Sequence, residues 1–113
     1  MPHGEVCGTL LGEATRRTID ALSPDSAAHR TALAKYAQVG ALLSEGGASD
    51  ERENLSRLVD TLENWVACTR MPRLGHYGMT AGDLPRILDK SNGKNSPVVL
   101  GREAMQAILE ARL

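Results

Sequence analysis

The stretch Asp50-Glu51-Arg52-Glu53-Asn54-Leu55-Ser56-Arg57-Leu58-Val59-Asp60-Thr61-Leu62-Glu63-Asn64-Trp65-Val66-Ala67-Cys68 carries the strongest periodicity in the chain. Leu55, Leu58, Val59, Leu62, Trp65 and Val66 recur at three- and four-residue steps, which gathers apolar side chains on one face of an α-helix. The acidic residues of its first turn suit the positive end of the helix dipole. The pattern therefore predicts a core helix ending at about Cys68, with Trp65 at the centre of the core and Cys68 a small buried or half-buried thiol.

Working outward, the same period appears on both sides. From about Gly4 to Leu22, the residues Cys7, Leu10, Leu11, Ala14, Thr18, Ile19 and Leu22 give a continuous stripe, which Ser23-Pro24-Asp25 terminates because proline cannot continue a helix. Asp25 or Ser26 caps a second helix reaching about Leu43, with Leu33, Tyr36, Ala37, Gly40 and Leu43 inward and His29 a solvated surface histidine. Ser44–Asp50 is a Gly- and Ser-rich loop. Beyond the central helix, Met71–Gly78 is a turn-rich connector in which glycines flank His76-Tyr77, and Thr80-Ala81-Gly82-Asp83 is an N-capping signature. A short fourth helix carries Leu84, Ile87 and Leu88. After Ser91–Pro97 and a brief extended piece, Val98–Leu100, a last helix turns Met105, Ile108, Leu109 and Leu113 inward. Five helical segments with no alternating strand pattern predict an all-α domain, a compact bundle spanning residues 1–113.

Composition narrows the function classes. The chain has 113 residues, is 42% hydrophobic and 24% charged, and carries a net charge of −1, values of an ordinary globular domain. Without a basic face or a polybasic run, neither nucleic acid nor an anionic membrane surface is an expected partner. No apolar stretch approaches the length of a membrane span. The start shows no positive segment leading into an apolar run, so no secretory signal is read, and a cytoplasmic protein with two reduced thiols, Cys7 and Cys68, is expected. Phe is absent and aromatics are 3%, which leaves an aliphatic, alanine-rich core suited to helices.

Catalytic motifs are few. There is no Gly-x-Ser-x-Gly elbow, no P-loop, no Gly-x-Gly-x-x-Gly, no Cys-x-x-Cys and no His-Glu-x-x-His. The one local constellation is His3 with Cys7, a helical turn apart, which could meet one ion if the first helix reaches back to His3.

Several segments in order resemble the C-terminal helical domain of iron-containing (group III) alcohol dehydrogenases, including the maleylacetate reductase branch. They are Pro2-His3-Gly4-Glu5-Val6-Cys7-Gly8-Thr9-Leu10-Leu11, Ala34–Gly40, Met71-Pro72-Arg73-Leu74 with Tyr77-Gly78 and Asp83-Leu84-Pro85, and Lys94–Leu100 before a short amphipathic helix. Dehydroquinate synthases share a related His-Gly-Glu opening, but the Lys94–Leu100 ending fits the dehydrogenases better. The resemblance implies the dehydroquinate synthase-like helical fold and makes His3 a metal ligand, for Fe²⁺ or Zn²⁺. In that family an upstream Rossmann-like half binds the nicotinamide, and an aspartate and two further histidines complete the ligand set. The chain begins at Pro-His-Gly, so no NAD site and only a partial metal site are expected within it. Hydride transfer without the nicotinamide is not credible, so the chain is expected to be inactive alone. Two other readings follow: a helical interaction module that self-associates as a homo-oligomer, and one part of a split enzyme whose N-terminal half is separately encoded.

Overall fold

The structure, a computed structural model, describes residues 1–113 and is all-helical, with no strand. Three long helices, α1 (His3–Ala21), α2 (Ala27–Leu43) and α3 (Glu51–Cys68), are followed by two shorter ones, α4 (Leu84–Lys90) and α5 (Arg102–Ala111). Single 3-10 turns at Leu74–Tyr77 and Ala81–Asp83 lie between α3 and α4. The expected five-helix, all-α architecture is what the chain adopts.

Helix ends follow the polar residues of the sequence. The Ser26 hydroxyl accepts from the His29 N–H, and the Asp50 carboxylate accepts from the Arg52 N–H. At the start of α4, the Asp83 carboxylate accepts from both the N–H and the hydroxyl of Thr80. Those two donors, with a smaller contribution from Arg86, hold the Asp83 carboxyl below the usual carboxylate range.

α3 is the central element. α2 packs on it through Leu33, Ala37 and Gly40, all buried, and Gly40 sits so close that a Cβ there would overlap the Asn54 carbonyl. Asn54 is itself buried, and its side-chain amide both accepts from the Ala48 N–H (2.7 Å) and donates to the Ala48 carbonyl (2.9 Å). One polar side chain thereby fixes the loop that returns α2 onto α3. α1 runs antiparallel to α3: Gly8 lies against Met71 and Gly12 against Glu63, while Ile19 and Leu22 line one groove with Leu55 and Val59 nearer the start of α3.

A second cluster of buried leucines, Leu74, Leu84, Leu88 and Leu109, gathers the C-terminal elements, with Val6, Leu10, Met105 and Leu113 packed around it. The chain end is pinned there. The Leu74 N–H donates to the Arg112 carbonyl (2.8 Å) and the Gly75 N–H to the Leu113 carbonyl (3.0 Å), so close that any Cβ at Gly75 would sit 2.7 Å from the Leu113 oxygen.

Four sequence expectations are corrected. Trp65 is not the centre of the core but 49% exposed, because the close α2 contact centres on Asn54 and Leu58, about two turns earlier on α3. Cys68 is exposed at the end of the same helix. The α1 stripe turns inward only in part: Leu22 is buried and Leu10 packs against the leucine cluster, but Cys7 and Leu11 are exposed, and within the helix the buried residues are Thr9, Gly12 and Thr15. Small side chains let the α1 and α3 backbones approach there. His29 is half-buried rather than solvated, since its Nδ1 accepts from the Ser23 N–H (3.0 Å) and braces the α1–α2 connection.

Candidate functional site

The residue singled out for metal binding opens α1. Pro2 is the N-cap of that helix, with the extended backbone its ring favours, and His3 is the first helical residue. The helix does reach back to His3, so His3 and Cys7 stand one turn apart on the same face. His3 Nε2 lies 3.4 Å from Cys7 Sγ, and both residues are exposed. A nitrogen and a sulfur sharing one tetrahedral ion, at about 2.1 and 2.3 Å from it, stand about 3.5 Å apart. The pair therefore has the spacing of two donors to one ion.

The donor count falls short. No group of three or more His, Cys, Asp or Glu side chains converges anywhere in the molecule. Metal centres of the zinc and non-haem iron kinds take at least three protein donors. The residues present do not make a self-sufficient iron or zinc site.

The other two histidines are engaged elsewhere. His29 braces the α1–α2 connection, and His76, exposed, meets Tyr77 edge to face with ring centroids 5.0 Å apart. Tyr36, on α2, is partly buried, and that burial raises its phenol above the ordinary tyrosine value.

An open groove of about 630 Å³ lies where the three long helices meet, lined by Ile19, Leu22, Leu33, Leu55 and Val59. Arg16, Asp20, Arg52 and Asp60 supply charge of both signs to its walls, and Ser56 is its one hydroxyl. Arg16 is committed to Glu63, and its Nε is buried without a hydrogen-bond partner, 3.8 Å from the Glu13 carboxylate. No histidine or cysteine lines the groove, so it contains no paired nucleophile and base.

A polar lock that no sequence pattern announces joins the two ends of the chain. The Arg112 guanidinium donates to the Thr9 hydroxyl (2.8 Å) and to the Met71 carbonyl (2.8 Å). Thr9 is almost fully buried, and burial together with the neighbouring Arg73 lowers the Arg112 pKa. The contact spans nearly the whole sequence, so no local spacing could reveal it.

No helix is long and apolar enough to cross a membrane. No protein-family model, curated protein or solved structure matches the chain.

Proposed function

We propose that this chain is the helical part of a dehydrogenase of the iron-containing alcohol dehydrogenase type, working in the cytoplasm and non-catalytic by itself. The observation that carries the reading is the His3–Cys7 pair: two donors at the spacing of one ion, open to solvent, with no third donor beside them. Such a half-site supports a role for His3 as one ligand to Fe²⁺ or Zn²⁺ in a centre whose other donors, like the nicotinamide site, lie outside these 113 residues. The unbridged thiols of Cys7 and Cys68 fit a reducing compartment.

The test is a calorimetric titration of the purified chain with Zn²⁺, and anaerobically with Fe²⁺, beside a His3→Ala variant. The isolated wild-type chain should bind Zn²⁺ only weakly, with a dissociation constant well above micromolar, and His3→Ala should abolish that residual heat. Identical titrations for both proteins would remove His3 from any metal site. Reduction of aldehydes with NADH or NADPH by the purified chain would overturn its assignment as non-catalytic.

A second reading, a helical interaction module, is favoured by the amount of surface left uncovered. The accessible surface is 7148 Å², against about 6,000 Å² for a typical monomer of this mass. Leu42, Val99, Trp65 and Leu11 are all among the exposed apolar side chains.

A further inference from the structure

We propose that Asn92-Gly93, in the loop between α4 and α5, is a site of spontaneous covalent modification that converts Asn92 to aspartate and isoaspartate. The chemistry needs only this chain and water. The Gly93 backbone nitrogen, its proton lost to solvent base, adds to Asn92 Cγ. The side-chain nitrogen then leaves as ammonia, which breaks its bond to Cγ and closes a cyclic imide. Water opens the imide at Cγ to give aspartate, or at the backbone carbonyl to give isoaspartate, whose main chain runs through the former side chain. Amide and water become acid and ammonia, and nothing is oxidised or reduced.

The loop supplies each requirement of the first step. Asn92 is exposed and lies outside any helix, so the chain there is free to turn the nitrogen onto Cγ. The Gly93 N–H donates to no backbone carbonyl, which leaves the attacking atom uncommitted. Gly93 carries no Cβ to crowd the approach. The Lys94 N–H donates to Asn92 Oδ1 (3.1 Å), which curls the side chain over the Gly93 peptide. The same bond stabilises the negative charge that develops on Oδ1 as nitrogen adds. The other asparagines lack this combination. Asn54 is buried with its amide held on Ala48, and the N–H groups that follow Asn54 and Asn64 belong to the hydrogen-bond ladder of α3. Asn95 is exposed, but the Ser96 N–H that would have to attack is held by the Gly93 carbonyl (3.0 Å). Conversion adds a negative charge to a chain whose net charge is already −1. Isoaspartate also lengthens the main chain by a methylene, which moves the Gly93 carbonyl off Ser96.

The experiment is incubation of the folded full chain in mildly alkaline buffer, followed by peptide mapping with mass spectrometry, anion-exchange chromatography and labelling with an isoaspartate-specific methyltransferase. Gly93→Ala and Asn92→Gln run beside the wild type. An alanine Cβ at position 93 stands 3.6 Å from Val99 Cα, an ordinary contact, and φ there is not positive, so Gly93→Ala keeps the fold, as circular dichroism checks. In the wild type Asn92 should lose its amide while Asn54, Asn64 and Asn95 keep theirs, a more acidic form should separate, and the methyl label should map to position 92. Gly93→Ala should slow the conversion strongly and Asn92→Gln should abolish it. In urea Asn95 should begin to convert as the Ser96 N–H is released, while Asn92 converts much as it does in the folded chain. An Asn92 amide that persists in the folded chain, or is lost only on unfolding, overturns the site. Conversion of Asn95 as fast as Asn92 in the folded chain overturns the role given to the free Gly93 N–H. Undiminished conversion in Gly93→Ala overturns the cyclic route.

Discussion

Arg112 is the residue on which the tertiary structure depends most visibly. Its guanidinium satisfies the Thr9 hydroxyl and the Met71 carbonyl, and its own carbonyl accepts from Leu74. Removing the side chain leaves an almost fully buried hydroxyl without its donor, a loss in the range of about 1–3 kcal/mol. Arg112→Met keeps much of the aliphatic stem and so isolates the polar loss; urea denaturation should show that drop in unfolding free energy with little change in slope. A variant as stable as the wild type would show the lock to be incidental. No sequence pattern hints at this contact, because hydrogen bonds between positions 9, 71 and 112 leave no periodic trace. His29 and Asn54 escaped for the same reason: a polar residue on a helix reads as solvated until the loop folded back onto it is known. His3 and Cys7 were legible, since their meeting needs only the four-residue repeat of a single helix.

Among the elements, α3 shows both what periodicity delivers and where it stops. Leu58, Val59 and Leu62 are buried as their spacing predicts, yet Trp65 on the same stripe is not. The stripe names the face of a helix, whereas the length of that face a neighbour covers depends on where the neighbour crosses. For α1 the apolar stripe finds Leu10 and Leu22 but not the contact with α3, because a helix that approaches another through Thr9, Gly12 and Thr15 leaves no apolar signature. The C-terminal end of α3 makes a direct prediction. The Met71 N–H donates to the Val66 carbonyl and the Arg70 N–H to the Ala67 carbonyl, the paired bonds of a Schellman motif. Arg70 occupies the position where that motif demands a left-handed backbone, with φ of 53°. A residue with a Cβ is costly there and glycine is not, at about 1 kcal/mol. Arg70→Gly should therefore raise the unfolding free energy by about 1 kcal/mol, offset in part by the added freedom of the unfolded chain. A destabilised variant in the same urea titration would mean that the Arg70 side chain contributes more than its backbone strain costs.

At the scale of the whole molecule the bundle is flattened. The extents are 43 × 32 × 18 Å and the radius of gyration is 14.8 Å, against about 13 Å for a compact chain of this length. Only 16 of the 113 residues are buried, so the core that must offset chain entropy is small. Burial of exposed apolar side chains such as Leu42 against a second copy would add to it, and because only the folded chain presents that surface, association and folding are linked. The thermal midpoint should then rise with protein concentration, by about 3 °C for each tenfold, and Leu42→Glu should flatten the dependence. Differential scanning calorimetry under reducing conditions measures both. The sign of the slope is diagnostic, because irreversible aggregation of unfolded chains drains the unfolded state and moves the midpoint down as concentration increases. A wild-type midpoint independent of concentration would leave the small core to hold the fold alone, and would count against self-association as the use of that surface.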